Sequence, residues 1–216
     1  MGKLEIVTLG IIAANVIFSL KGFKDYKFFE AYRFNIAAIR RGEYIRFLSS
    51  GFLHVNSTHL LFNMLTLFFF AGPVLGKMGI LPFLGVYIAS LLGGNLLSYY
   101  FHKDEYHYNA VGASGAVTGI LYAFILYFPL EDLYIMFIPI GIPAFVVGIA
   151  YLVFSIYGMK KQLGNIGHDA HFGGAVVGYV LTLMYAPQLI EENQKFVILL
   201  AIPIVLLFIL IRRKKL

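Results

Sequence analysis

The chain has 216 residues, of which 60% are hydrophobic and 13% charged, with a mean hydropathy of +0.81 and a formal net charge of +6. These values exclude an ordinary soluble globular domain and define an integral membrane protein; the basic residues stand in short clusters between apolar runs, as membrane-flanking charges do, so no nucleic-acid partner is expected. Cysteine is absent, which excludes disulfides, thiolate chemistry and cysteine-ligated metals.

A bilayer core of about 30 Å takes about 20 apolar residues of helix, and runs of that kind recur along the whole chain. The first, 4–20, follows only Met1, Gly2 and Lys3 and meets no small-residue cleavage site before Lys21, so it is expected to be a retained span and not a removed signal peptide. The next stretch, KGFKDYKFFEAYRFNIAAIRRGEYIRFLSSGFLHVNS, alternates aromatic and basic side chains. Too polar to span and too apolar for a free linker, it predicts interfacial structure with rings and long cations at headgroup depth. Runs at 58–76, 80–101 and 111–128 predict the second, third and fourth spans. A fifth is predicted over 133–158, where Pro139 and Pro143 are expected to kink it. The sixth, 169–187, and the seventh, 195–211, precede a basic tail, RRKKL. No internal repeat or low-complexity tract breaks this order.

Polar groups inside spans are costly and mark function when they face the bundle interior. The second span opens THLLFNMLT, the fourth GASGAVTG and the sixth DAHFGGAVVGY. Spans that alternate in direction make these three parallel. His59, Asn63, Ser114 and His171 then fall within the first two turns of their helices, on one side of the membrane and at similar depth, since each residue advances about 1.5 Å. His59 and Asn63, four apart, share a helical face, and His171, Gly174 and Gly178 form a single stripe. Gly115 and Gly119 make a second small-xxx-small pair beside Ser114. The fourth and sixth helices are therefore expected to approach closely enough for Ser114 to meet His171, which pairs a nucleophile with a general base.

Each motif alone has a packing explanation: glycine pairs pack membrane helices, and a serine or asparagine there commonly bonds within its own helix. Packing does not require a serine, two histidines and an asparagine in one layer. Metal binding is the chemical rival, because His168, Asp169 and His171 crowd together with His59 in reach, and such ligands suit zinc or iron. Asp169, two residues from His171, is expected to point away from it as a helix N-terminal residue, and no H-E-x-x-H pair occurs. Neither metal nor cofactor is therefore expected, and the unit is expected to be a dyad without an acid. His54, His102 and His107 are placed in loops, interfacial or solvated, with His54 closest to the site.

GASG at the head of one span, H-x-x-x-N (His59, Asn63) near the start of an earlier one, and AHFGGAVVG around His171 together resemble the rhomboid intramembrane serine proteases over residues 43–185, in the right order. The resemblance implies an all-α polytopic membrane fold, with a rhomboid-like six-helix core in a catalytic domain over 1–187. A seventh, C-terminal transmembrane helix and the basic tail occupy 188–216. It implies cleavage of the transmembrane segments of other proteins within the lipid bilayer, with Ser114 as nucleophile, His171 as base, and His59, Asn63 and the Ser114 backbone N–H as oxyanion hole. Gly112 and Gly115 then leave space around Ser114 for a substrate backbone and a neighbouring helix. The other reading is a non-catalytic rhomboid-like protein that binds transmembrane clients, although such proteins typically lack the dyad. A solute transporter finds no inverted repeats or paired broken helices here. Two positions depart from the family pattern. Thr118 stands where an aromatic often rests against the histidine, and the aromatic–arginine pair of the first loop reads Ile45-Arg46, with Tyr44 displaced by one.

Sidedness divides charge from resemblance. With seven alternating spans, Lys3, Lys77 and Lys195 lie with the N-terminus and the other 14 of the 17 basic residues on the catalytic side, which the positive-inside rule assigns to the cytoplasm. The resemblance implies a plasma (inner) membrane protein whose site opens to the extracytoplasmic side. That orientation is the expectation here, because many of those cations belong to the first loop.

Overall fold

The computed structural model describes residues 3–134, 139–163 and 167–213. The chain enters α1 (Lys3–Lys24), then a first loop folded into α2 (Tyr26–Tyr32), strand β1 (Phe34–Asn35), α3 (Ile36–Arg40), α4 (Arg46–Ser49) and a 3-10 turn at Ser50–Phe52. Then follow α5 (Ser57–Met78), α6 (Ile80–His102), β2 (Asn109–Ala110), α7 (Ser114–Tyr127), β3 (Asp132–Leu133), β4 (Ile142–Pro143), α8 (Ala144–Lys161), α9 (His168–Tyr185), α10 (Leu189–Glu192) and α11 (Gln194–Arg212). The architecture is all-α and polytopic: α1, α5, α6, α8 and α11 are each long and apolar enough to cross a membrane.

Local signals set the helix starts. Asp25, Asn35 and Asn56 each accept a hydrogen bond from the backbone N–H three residues on, capping α2, α3 and α5. α5 stops at Gly79, whose φ of +80° suits glycine. The fifth span departs from the sequence expectation. Residues 132–133 and 142–143 pair as a short antiparallel hairpin, and the helix begins only at Ala144, with Pro143 as its N-cap at φ −53°. Pro139 also lies ahead of the helix, so neither proline kinks it. A proline lacks an N–H and its ring collides with the preceding turn, which makes it tolerable before or at a helix start and costly inside. Residues 135–138 of that predicted span lie outside the described residues.

α7 is the axis of the bundle, with α5, α6, α8 and α9 packed around it. Ala116, Ile120, Ala123 and Ile125 are wholly buried. Its 14 residues extend only about 21 Å, short of an apolar layer of about 30 Å. A helix of that length that reached one membrane face would start with Ser114 well below the other. α1 packs on α5, and α11 packs on α8. The α11 packing is fixed by Tyr179, whose hydroxyl donates to the Val197 carbonyl at 2.9 Å, and by Asn193, which donates to the Leu126 carbonyl at 2.9 Å.

The first loop is a folded layer. Phe34, Ile36 and Ile39 form a small buried core against Phe47, Tyr99 and Tyr108, and β1 pairs with β2, tying the loop to the segment that leads into α7. Arg46 is buried at its centre. Its Nη1 donates to the carbonyls of Glu30 at 2.7 Å and Arg33 at 2.8 Å, and its Nε and Nη2 grip Glu43 Oε2 at 2.8 and 2.6 Å. Tyr44 and Ile45 are exposed, so the guanidinium pins the loop through its own donors without help from either neighbour.

Candidate active site

Three faces of α9 carry three tasks. On one, Gly173 lies against the backbone of α6: a Cβ there would stand 2.8 Å from the Gly93 carbonyl and 2.9 Å from Gly94 Cα. On the second, a side chain at Gly174 or Gly178 would strike the backbone of Gly115 or Gly119, so α7 and α9 cross glycine on glycine. His171 is one turn before Gly174 on that stripe, and Ser114 is the residue before Gly115. The crossing therefore brings both side chains to the same end of the α7–α9 pair. Among the described residues no direct hydrogen bond joins them. On the third face, His168 packs into α8, its ring 5.3 Å from that of Phe154 and closed over Gly158. His168, Asp169 and His171 thus diverge, and the metal grouping considered from sequence does not converge among the described residues.

Ser114 is the first residue of α7, where backbone N–H groups lack partners within the helix and the dipole is positive. The turn before it depends on Gly112, at φ +135°, in the left-handed region. A Cβ at Gly112 would meet His59 Cε1 at 2.7 Å and Nε2 at 3.0 Å, with Ser114 Oγ at 3.7 Å. The Ser114 hydroxyl and the Nε2 edge of His59 therefore border one small space beside Gly112. The other His59 nitrogen, Nδ1, is buried without a partner. Asn63, one turn further along the same face of α5, is buried and donates from Nδ2 to the His59 carbonyl at 3.1 Å, which leaves its second amide hydrogen for another acceptor.

His54, expected as an interfacial loop residue, is wholly buried. Its Nε2 accepts the Ala113 N–H at 3.4 Å, and its Nδ1 lies 2.9 Å from Ser19 Oγ, which donates to the Phe52 carbonyl at 3.1 Å. One tautomer, neutral with the proton on Nδ1, satisfies every member of that chain. Burial, with a smaller contribution from the charge on His59, pushes His54 down to about 3, consistent with the neutral ring. It joins α1 to the residue before Ser114. Its signal in the sequence was only its position five residues ahead of His59.

Thr118 turns its hydroxyl back to the Ser114 carbonyl at 2.7 Å. The aromatic that rests on His171 comes from α8 instead: the Tyr151 ring lies 6.0 Å from the imidazole at an interplanar angle of 21°, and its hydroxyl is 3.4 Å from Thr118 Oγ1. Tyr151 was not legible as a site residue, because nothing local to α8 marks which helix it faces. Asp169 is in the first turn of α9, turned from His171 towards α6. His107 is exposed, whereas His102 closes α6 and is not a loop residue.

A family model described as Rhomboid domain matches residues 41–188. The chain is 32% identical over 148 residues to Putative rhomboid protease YdcA of Bacillus subtilis, covering 68% of this chain and 69% of that one. It is 33% identical over 141 residues to Rhomboid protease GluP of the same organism, covering 65% of this chain and 26% of the other. To RHOMBOID-like protein 12, mitochondrial, of Arabidopsis thaliana it is 27% identical over 191 residues, covering 81% of this chain and 56% of that relative, so it spans about half that protein's length.

Proposed function

The chain belongs to the rhomboid family, and on that premise we propose that it is an intramembrane serine endopeptidase that cleaves transmembrane segments of other membrane proteins through a Ser114–His171 dyad. The observation that carries this is the glycine-on-glycine crossing of α7 and α9, which leaves a serine at a helix N-terminus and a histidine at the same end of one helix pair. His171 takes the Ser114 proton as the oxygen attacks the scissile carbonyl, and returns it to the leaving amine. The oxyanion forms beside the unpaired N–H groups of α7, with His59 Nε2 and the free amide hydrogen of Asn63 as further donors. Water then hydrolyses the acyl-enzyme with His171 again as base. Among the described residues no carboxylate is hydrogen-bonded to His171, and in this reading Tyr151 on its face and the clamping of α9 between α6 and α7 orient it. In this reading residues 1–187 form the catalytic unit and 188–216 carry an added C-terminal helix and a basic tail.

The direct test is a transmembrane reporter co-reconstituted with the chain in lipid vesicles. Wild type is expected to cleave it and to be labelled at Ser114 by a serine-directed phosphonate. Reporter that co-purifies uncut, with no labelling, would instead assign the chain to non-catalytic client binding. Asn63→Ala is expected to lower turnover by about 10²- to 10³-fold, as loss of an oxyanion donor does, with KM little changed. A variant that unfolds, with no separable kinetic effect, would make Asn63 structural.

Tyr151→Phe keeps the ring on His171 and is expected to stay close to wild type. Tyr151→Ala removes it and should reduce kcat by about 10- to 100-fold, as misplacement of a catalytic group by up to about 1 Å does. Equal turnover in the two variants would remove Tyr151 from the account.

We place the catalytic end on the extracytoplasmic side. Four of the first-loop cations that oppose this are paired with carboxylates, Arg33, Arg41 and Arg46 within the loop and Arg40 with Asp104 of the α6–α7 connection. Because the chain has no cysteine, Lys77→Cys and Lys161→Cys can be compared with an impermeant thiol reagent on intact cells. Labelling at 161 alone is expected, and labelling at 77 alone would reverse the orientation.

A further inference from the structure

The first turn of α9, which carries His171, is held from α6 by a charge pair that the mechanism above does not use. Asp169 is 4% exposed, and its Oδ2 lies 3.3 Å from Nε2 of His102, the last residue of α6. The other ring nitrogen of His102, Nδ1, lies 3.0 Å from Glu105 Oε1. The ring stacks on Tyr108 at 3.7 Å between centroids, 7° from parallel. The contact with Asp169 is one of charge, since its Oδ2 accepts no hydrogen bond among the described residues, whereas Nδ1 is within hydrogen-bond distance of Glu105; with a carboxylate beside each nitrogen, a neutral ring would turn a lone pair to one of two anions, and the imidazolium does not. Both charges also stand at the helix ends that favour them, a cation in the last turn of α6 and an anion in the first turn of α9. The N-cap of α9, Gly167, offers no side chain, so Asp169 supplies the anchored group of that turn.

His102 reaches the nucleophile's side as well. Tyr108 and Glu105 belong to the segment between α6 and α7. The Tyr108 carbonyl accepts the Ile36 N–H at 3.3 Å, and β2 follows directly and runs into Val111–Gly112. One side chain therefore touches the helix of the base and the approach to the serine.

Resting on the proteolytic reading of the site, we propose that His102, held as an imidazolium between Asp169 and Glu105, is a positioning residue that fixes the first turn of α9 and so the aim of His171. The groups that face it are Asp169 from α9 and Glu105 and Tyr108 from the connection; the buried Ser98 hydroxyl, one turn earlier on α6, stands beside Asp169 and Tyr108. The next charges, Arg40 and Asp104, are 3.6 Å apart and paired with each other, and Arg40 also donates to the Lys103 carbonyl at 3.0 Å. Loss of the His102 proton leaves the buried Asp169 carboxylate against an uncharged ring and loosens the turn. The stabilisation belongs to the protonated ring, so it is present at lower pH and lost as pH rises through its titration.

The test is the pH profile of kcat and KM for the full chain in lipid vesicles, beside the thermal unfolding midpoint over the same range. For wild type, kcat and the midpoint are expected to fall together at alkaline pH while KM holds. Asp169→Asn should lower kcat at neutral pH by about 10-fold or more and show no alkaline fall in either quantity. Glu105 is largely exposed, so Glu105→Gln should fold, and its alkaline fall should begin at lower pH than that of wild type. Profiles that coincide for wild type and both variants, or a wild-type midpoint flat through the alkaline range, would overturn the proposal. A wild type that turns over no faster than Ser114→Ala would count against proteolysis itself, and the unfolding profiles would still decide whether the ion pair holds α9.

Discussion

Ser114→Ala and His171→Ala are each expected to lower turnover of the reporter by about 10⁶, with the double variant no worse than either single one. The reason is that nucleophile and base act as one unit: without the base the hydroxyl keeps its proton, and without the hydroxyl the base has nothing to activate. Neither side chain supports the fold. Both are only partly buried, and the crossing that brings them together is made by the neighbouring glycines. Both variants should therefore insert and unfold at the wild-type temperature. The phosphonate probe separates the roles, because His171→Ala retains the hydroxyl and should still lose labelling. Substantial cleavage by either variant would exclude the dyad.

Gly174→Leu is expected to remove both stability and activity. A Cβ at this position already meets the Gly115 carbonyl and Cα, and these are backbone atoms that no rotamer can move aside. α7 and α9 would have to separate along their length, breaking the Gly178–Gly119 contact one turn on. Overpacking of a core costs about 1–3 kcal/mol, and a backbone collision belongs at the upper end of that range. Gly174→Ala should show the same sign at smaller size. The control is Gly76 in α5, where an added Cβ meets nothing within 4 Å: Gly76→Ala should hold or gain stability, by about 0.5–1 kcal/mol, since alanine suits a helix interior better than glycine. A Gly174→Leu protein as stable as wild type would mean that the two helices do not need their close approach.

Much of the scaffold is legible without coordinates, because its causes are local. Apolar length marks the spans, Asn56 caps α5, and the spacing of His171, Gly174 and Gly178 places them on one stripe, since a helix repeats every 3.6 residues whatever surrounds it. The same periodicity turns Asp169 away from His171. Where local signals compete they mislead: the apolar run from 133 looks continuous, yet β3 and β4 pair and Pro143 delays α8 to Ala144.

What a helical stripe meets is a different matter. That Tyr151 rests on His171 where Thr118 leaves no ring, that His54 is buried under Ala113, and that Asp169 finds His102 all depend on which helices become neighbours. Helix neighbourhood in a bundle is set by close packing between segments distant in the chain, here by which glycine faces can touch. Sequence periodicity determined the faces of this protein, and only the tertiary packing decided which faces meet, because contact between distant segments is a property of the assembled bundle and not of any one helix.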